Sequence, residues 1–188
     1  MSKKLFNIFF LVSFCILIFS CKNDVIPKPS GYLSLEYAKP DYLHFENSCP
    51  FTFDINSNSI IKEIKNCNFE ITYPKMKATL YLTYKPVANN LKDLLRDAQK
   101  RTYEHVVKAD DIIEQPFNNS SDKVFGMFYQ VDGNAATNSQ FYVTDSTKHF
   151  VACSVYFYAI PNFDSIMPAV NYIKSDMRVL MESLRWKK

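Results

Sequence analysis

The chain has 188 residues, and its 22 Lys plus Arg exceed its 19 Asp plus Glu by three. Lys3 and Lys4 are the only charges in the first twenty residues, so the rest carries 20 − 19 = +1. A body this close to neutral lacks the basic field of a protein that neutralises nucleic-acid phosphates, the length falls short of an eight-stranded α/β barrel of about 250 residues, and three glycines leave little for a phosphate-cradling loop.

The N-terminus reads as a targeting segment. After a positive start, Leu5 to Phe19 is apolar except for Asn7 and Ser13. A membrane-spanning helix needs roughly 20 such residues, so this run suits a secretory signal better than a span. Ser20 then precedes Cys21, a small residue before a cysteine at the end of an apolar run, which looks like a bacterial lipoprotein cleavage site. Phe19 is bulkier than the usual residue there, and the alternative is an uncleaved N-terminal membrane anchor. The expected division is a signal peptide over 1–20, a lipidated tether over 21–30 with Pro27 and Pro29, and a single domain over 31–188. Cys21 is the expected lipid site.

Export changes the meaning of the remaining cysteines, because disulfides persist outside the cytoplasm. Cys49 and Cys67 each open a strand-like segment, and a bond between them would contribute about 3 kcal/mol in the chain-entropy model. Cys153 sits in an apolar run and reads as a buried thiol. No C-x-x-C spacing suggests zinc or redox chemistry.

Along the body, Gly31–Tyr37 alternates weakly as a first strand. Phe51, Phe53 and Ile55 share one face of the next, and Asn56-Ser57-Asn58 supplies a turn after which Ser59–Ile64 reads as the return strand of a hairpin. Asn68–Tyr73 and Met76–Tyr84 alternate strictly, as half-buried antiparallel strands do. From Asn89 to about Lys108 the period becomes helical, with Leu91, Leu94, Leu95, Ala98, Thr102 and Val106 on one stripe and Asn90 placed to cap it. Asp110 to Lys123 reads as a polar connection. Val124–Val131, Gln140–Thr144 and Phe150–Ala159 read as strands, the last apolar on both faces and therefore central. The closing helix has its stripe at Ile166, Val170, Ile173, Met177, Leu180, Met181 and Leu184, with Pro168 expected in its first turn. The expected fold class is α+β: a single antiparallel β-sheet packed with two long α-helices.

Little here resembles catalytic machinery. His44, His105 and His149 are scattered, without metal-ligand spacing. Asp145 and His149 are four apart, with Ser139 and Ser146 nearby, but no nucleophile elbow accompanies them, and ordinary turn chemistry accounts for the pair. Gly133 to Gln140 gathers small residues and amides, so Gly133, Asn134, Asn138 and Gln140 are candidates for a partner-contact loop, against the plainer reading of a sheet-edge crossing. Exposed aromatics such as Tyr81, Tyr156 or Tyr158 could stack an envelope sugar.

The stretches Glu70–Val87, Leu94–Lys100, Tyr103–Val106, Lys108–Asp110, Gly133–Ala136, Asn138–Tyr142, Thr144–Thr147 and Met181–Lys187 resemble the gliding-motility lipoprotein GldD family of the Bacteroidetes, over nearly the whole chain. The resemblance implies a lipid-anchored envelope protein whose body faces the periplasm, acting beside protein components of the gliding and type IX secretion machinery. It brings no catalytic residue, cofactor or metal and implies no nucleic-acid partner. Cys21 matches the family's lipid site, and Cys49 and Cys67 match cysteines associated with it, which favours their pairing. An envelope glycan- or peptide-binding module is the alternative.

Overall fold

The computed structural model describes residues 37–104, 109–133, 137–158 and 163–187. The signal segment, Cys21, the tether and nearly all of the expected first strand lie outside the described residues. In chain order the elements are β1 (Tyr42–Phe45), β2 (Phe51–Asn56), β3 (Ile60–Lys65), β4 (Asn68–Tyr73), β5 (Ala78–Pro86), α1 (Leu91–Tyr103), β6 (Ala109–Asn119), β7 (Val124–Gly133), β8 (Ser139–Thr144), β9 (His149–Phe157), α2 (Phe163–Ser183) and β10 (Arg185–Trp186).

The strands form two sheets, which corrects the expectation of one. A three-stranded sheet has the order β1-β2-β10, and a seven-stranded sheet the order β3-β4-β5-β9-β8-β7-β6. The physical reason lies in β2. Phe51, Thr52, Phe53, Ile55 and Asn56 are all buried, so both faces of this strand need cover. Phe51 and Phe53 pack edge-on against Phe69 of β4, with ring centroids 6.2 and 6.1 Å away. The Asp54 amide donates to Ser183 Oγ of α2 at 2.8 Å, and Asn56 bonds to Asp176 of the same helix. A strand held between a sheet and a helix cannot also pair with the sheet beneath it.

The turn after β2 therefore makes no hairpin, against expectation. Ser59 N–H donates to the Asn56 carbonyl at 3.0 Å, and the chain steps from one sheet to the other. β3 instead pairs with β4, from Ile60 opposite Thr72 to Glu63 opposite Phe69, with a register shift before Lys65. A bond between Cys49 and Cys67 joins the approach to β2 to the β3–β4 turn, where Asn66 and Cys67 both have positive φ.

In the larger sheet β3, β4 and β5 run as a meander. The chain then passes through α1 to the far edge and returns through β6, β7 and β8 to lay β9 against β5. β9 is central, in keeping with its two apolar faces. On one face Phe69, Ile71, Leu80, Leu82, Val151, Cys153, Phe141 and Phe128 meet Ile173, Met177 and Leu180 of α2 and Leu184 just beyond its end, all almost fully buried. Each of those helix side chains contributes roughly 1.5–3 kcal/mol by leaving water. The opposite face is more polar, and α1 covers part of it through buried Leu94 and through Thr102, whose hydroxyl accepts from the Gln140 amide.

Local detail differs from expectation in three places. Residues 109–119 form edge strand β6, paired only with β7, where polar side chains and Pro116 are tolerated because one side needs no partner. Asn90 does not cap α1 with its side chain; its Oδ1 accepts from Ala88 N–H at 2.8 Å, while its carbonyl takes the amides of Asp93 and Leu94. Pro168 lies inside α2, beyond the first turn, because the helix already begins at Phe163. His105 and the expected last turn of the first helix lie outside the described residues.

Candidate functional site

Where α2 crosses the end of the small sheet, a polar knot is built into the protein interior. Asp176 is only 4% exposed. Tyr42 O–H of β1 donates to its carboxylate at 2.7 Å, and Asn56 Nδ2 of β2 donates at 2.7 Å. Tyr73, at the end of β4, faces the same carboxylate. Asn56 Nδ2 also donates to Tyr172 O–H at 2.9 Å, and that hydroxyl in turn donates to the Ala38 carbonyl at 2.9 Å. The Asn56 Oδ1 is taken by Asn58, through its amide N–H at 2.9 Å and its side chain at 3.1 Å. Burial raises the Asp176 carboxyl above its ordinary range, outweighing the neighbouring donors that favour its ionised form. Tyr73 is pushed up as well, by burial first and by the facing carboxylate second.

Beside the knot is a cavity of about 360 Å³ lined by Tyr37, Asn58, Ile60, Tyr73, Met76 and Tyr172, with Ala38, Pro74 and Lys75 at its margin. Its size lies within the range of pockets that hold ligands. Tyr172 is held by its hydroxyl's bonds in the knot, Tyr73 is buried beside it, and Tyr37 lies against Tyr172 with centroids 5.4 Å apart. The result is a preformed, aromatic, largely apolar recess. The cleft under α1, bordered by Tyr129, Gln140, Asp97 and Arg101, has a cavity volume of only about 40 Å³, room for little more than water.

The residues singled out from sequence fall elsewhere. Asp145 Oδ1 accepts the backbone amides of Thr147, Lys148 and His149, so it builds the β8–β9 turn. The His149 ring points away from it, meeting Tyr84 O–H at 2.9 Å through Nδ1 and stacking on Trp186 at 5.2 Å. The Asp145 and His149 side chains therefore form no dyad, whereas His44 Nδ1 meets Asp54 Oδ1 at 2.8 Å at an exposed site. Burial acts to raise the Asp145 carboxyl, but these amides and the Thr147 hydroxyl hold it below its usual range.

Of the loop candidates, Gly133 ends β7 and Asn134 lies outside the described residues. Asn138 and Gln140 are buried, so their side chains serve the interior. Tyr81 and Tyr158 join hydroxyl to hydroxyl on the open sheet face, with Tyr156 edge-on to Tyr81 at 5.7 Å. Tyr156 and Tyr158 are exposed there. Cys49, Cys67 and Glu63 bring their ligand atoms within 4.8 Å of one another. With the two sulfurs bonded, neither is a thiolate, and only one carboxylate remains to offer a cation.

Asp176 was not among the candidates, yet its signal is present in the sequence. It lies three residues after Ile173 and four before Leu180, which places a carboxylate on the apolar stripe of α2. An acid there must find buried donors.

The family described as gliding motility lipoprotein GldD matches the chain over residues 22–186. No curated protein that was compared with the chain matches it significantly.

Proposed function

The chain belongs to the gliding motility lipoprotein GldD family, and from that premise we propose that it is an exported, non-enzymatic accessory of the gliding and type IX secretion machinery. In this reading the signal over 1–20 is removed, Cys21 carries lipid, and the body faces the periplasm on a short tether. The observation that carries it is the extent of the family match, which begins immediately after Cys21 and runs to Trp186. The rearrangement of the Asp145–His149 pair into turn and packing roles removes the one constellation that suggested hydrolysis.

The test is a deletion strain complemented with the wild-type chain or with Cys21→Ala. Gliding should return with the first. The second should show no fatty-acid labelling and should restore little movement. Deletion without effect on gliding would overturn the proposal, and undiminished labelling of Cys21→Ala would overturn the lipid site. Envelope-ligand binding is the second reading, and the recess beside Asp176 favours it.

A further inference from the structure

The aromatic recess lies at the Ile60 end of β3, and β3 is an open edge of the seven-stranded sheet. From Ile60 to Glu63 its register with β4 is regular, so its outer side presents unpaired backbone donors and acceptors in strand geometry. Ile60 and Ile64 are exposed by 60% and 51%. We propose that this edge and recess together bind an extended, acidic-flanked segment of a partner protein, which adds a strand to β3 and places a large apolar side chain among Tyr37, Tyr73, Met76 and Tyr172. Backbone pairing would supply affinity, and the recess would supply selectivity. The inference rests on the reading of the chain as an accessory that works through protein contacts, and it names the chemistry of one such contact.

Charge decides the kind of segment. β3 carries Lys62 and Lys65 against one acid of its own, Glu63, with Glu70 of β4 opposite Lys62, and Lys75 borders the recess. None of the three lysines forms an ion pair among the described residues. An incoming strand with acidic residues on its flanks would satisfy them. A second copy of this chain fits poorly. Two β3 strands related by a two-fold axis normal to the sheet pair residues of equal parity, and the longest such registers centre on Lys62 or on Glu63. Each sets a like charge opposite itself, which disfavours self-pairing. The other edge, β6, is a weaker acceptor because Pro116 interrupts it and two of its side chains are engaged, Glu114 by Tyr103 and Gln115 by Arg178.

The experiment selects binders from a random decapeptide display library on the full-length protein in detergent and measures the best peptide by fluorescence anisotropy. The expected peptides alternate β-forming residues, carry Asp or Glu near their ends and share one large apolar position. Two forms of that peptide, N-methylated on alternate amides in opposite phase, should differ, one binding at least tenfold more weakly and the other nearly unchanged. Ile60→Glu on the protein should weaken binding at least tenfold, whereas Ile113→Glu on β6 should leave it within twofold. Failure to select peptides, equal response to the two methylation phases, or loss with Ile113→Glu alone would overturn the proposal. So would a dimer by sedimentation that Ile60→Glu dissolves, which would identify a second copy as the occupant. A deletion strain that glides normally would overturn the function proposed above without touching the peptide result, so the two failures are distinguishable.

Discussion

Asn56 and Asp176 stand 120 positions apart and meet at 2.7 Å, the side-chain amide of β2 donating to the buried carboxylate of α2. The same carboxylate accepts from Tyr42 of β1 and faces Tyr73 of β4. One side chain thus ties the small sheet, the large sheet and the closing helix together.

Asp176→Ala removes the acceptor of the Tyr42 hydroxyl and one of the two acceptors of Asn56 Nδ2, which keeps Tyr172, and a buried polar group left unsatisfied costs about 1–3 kcal/mol. Urea unfolding should show a midpoint well below that of the wild type. A loss under about 0.5 kcal/mol, the range of ordinary surface substitutions, would show that the knot contributes nothing.

Two carboxylates should bend the pH–stability curve in opposite directions. Asp176 has a raised folded-state pKa, so its contribution is present below its unfolded value of 3.8 and is lost as pH rises through the folded value. Asp145 is depressed, so its contribution is present above 3.8 and is lost as pH falls through the folded value. Relative to wild type, Asp145→Asn should lose less stability on acidification below about pH 4, and Asp176→Asn should lose less as pH rises above about 4. Thermal melts across pH 2.5–7 test both (a range of about this span brackets the carboxylates). Parallel curves for all three proteins would contradict the assignment.

Cys49 and Cys67 should be recovered as one unreduced peptide pair from exported protein, with Cys153, buried against the sheet, still a thiol. Replacing both bonded cysteines with Ser should cost about 3 kcal/mol in the chain-entropy model. Mass spectrometry that finds either cysteine linked to Cys153 would refute the pairing.

Leu180 is 2% exposed in the centre of the core. Leu180→Ala should cost about 2–5 kcal/mol, a large part of a typical total of about 5–15 kcal/mol, so envelope levels and gliding should fall together. His149→Ala loses a ring contact worth about 0.5–1.5 kcal/mol and should leave gliding largely intact. Gliding lost in the His149 variant at normal abundance would revive a catalytic role.

Gly126 has no room for a side chain. A Cβ there would come within 2.0 Å of the Tyr142 carbonyl oxygen on β8. Gly126→Ala must push β7 and β8 apart and should destabilise by at least the about 1–3 kcal/mol of an overpacked core. Unchanged stability would mean that the two strands separate freely at this point.

Much was legible in the sequence because it depends on neighbours a few positions apart. Strict alternation revealed β4 and β5, the helical stripes revealed α1 and α2, and the double apolar character of residues 150–159 announced the centre of a sheet. The Asx-type turn at Asp145 follows from local chemistry as well. What only the tertiary structure decided involves partners far along the chain. The turn at Asn56–Ser59 has the composition of a hairpin, yet β2 leaves the large sheet because β10, some 130 residues later, pairs with its edge while the large sheet and α2 cover its two faces. Residues 109–119 look like a connection until β7 gives them a ladder to join. Asp176 looks like a fault in a helical stripe until Tyr42, Asn56 and Tyr73 converge on it. Local pattern specifies which face of an element must be buried; which element buries it is settled by competition among distant segments, and that competition has no short-range signal.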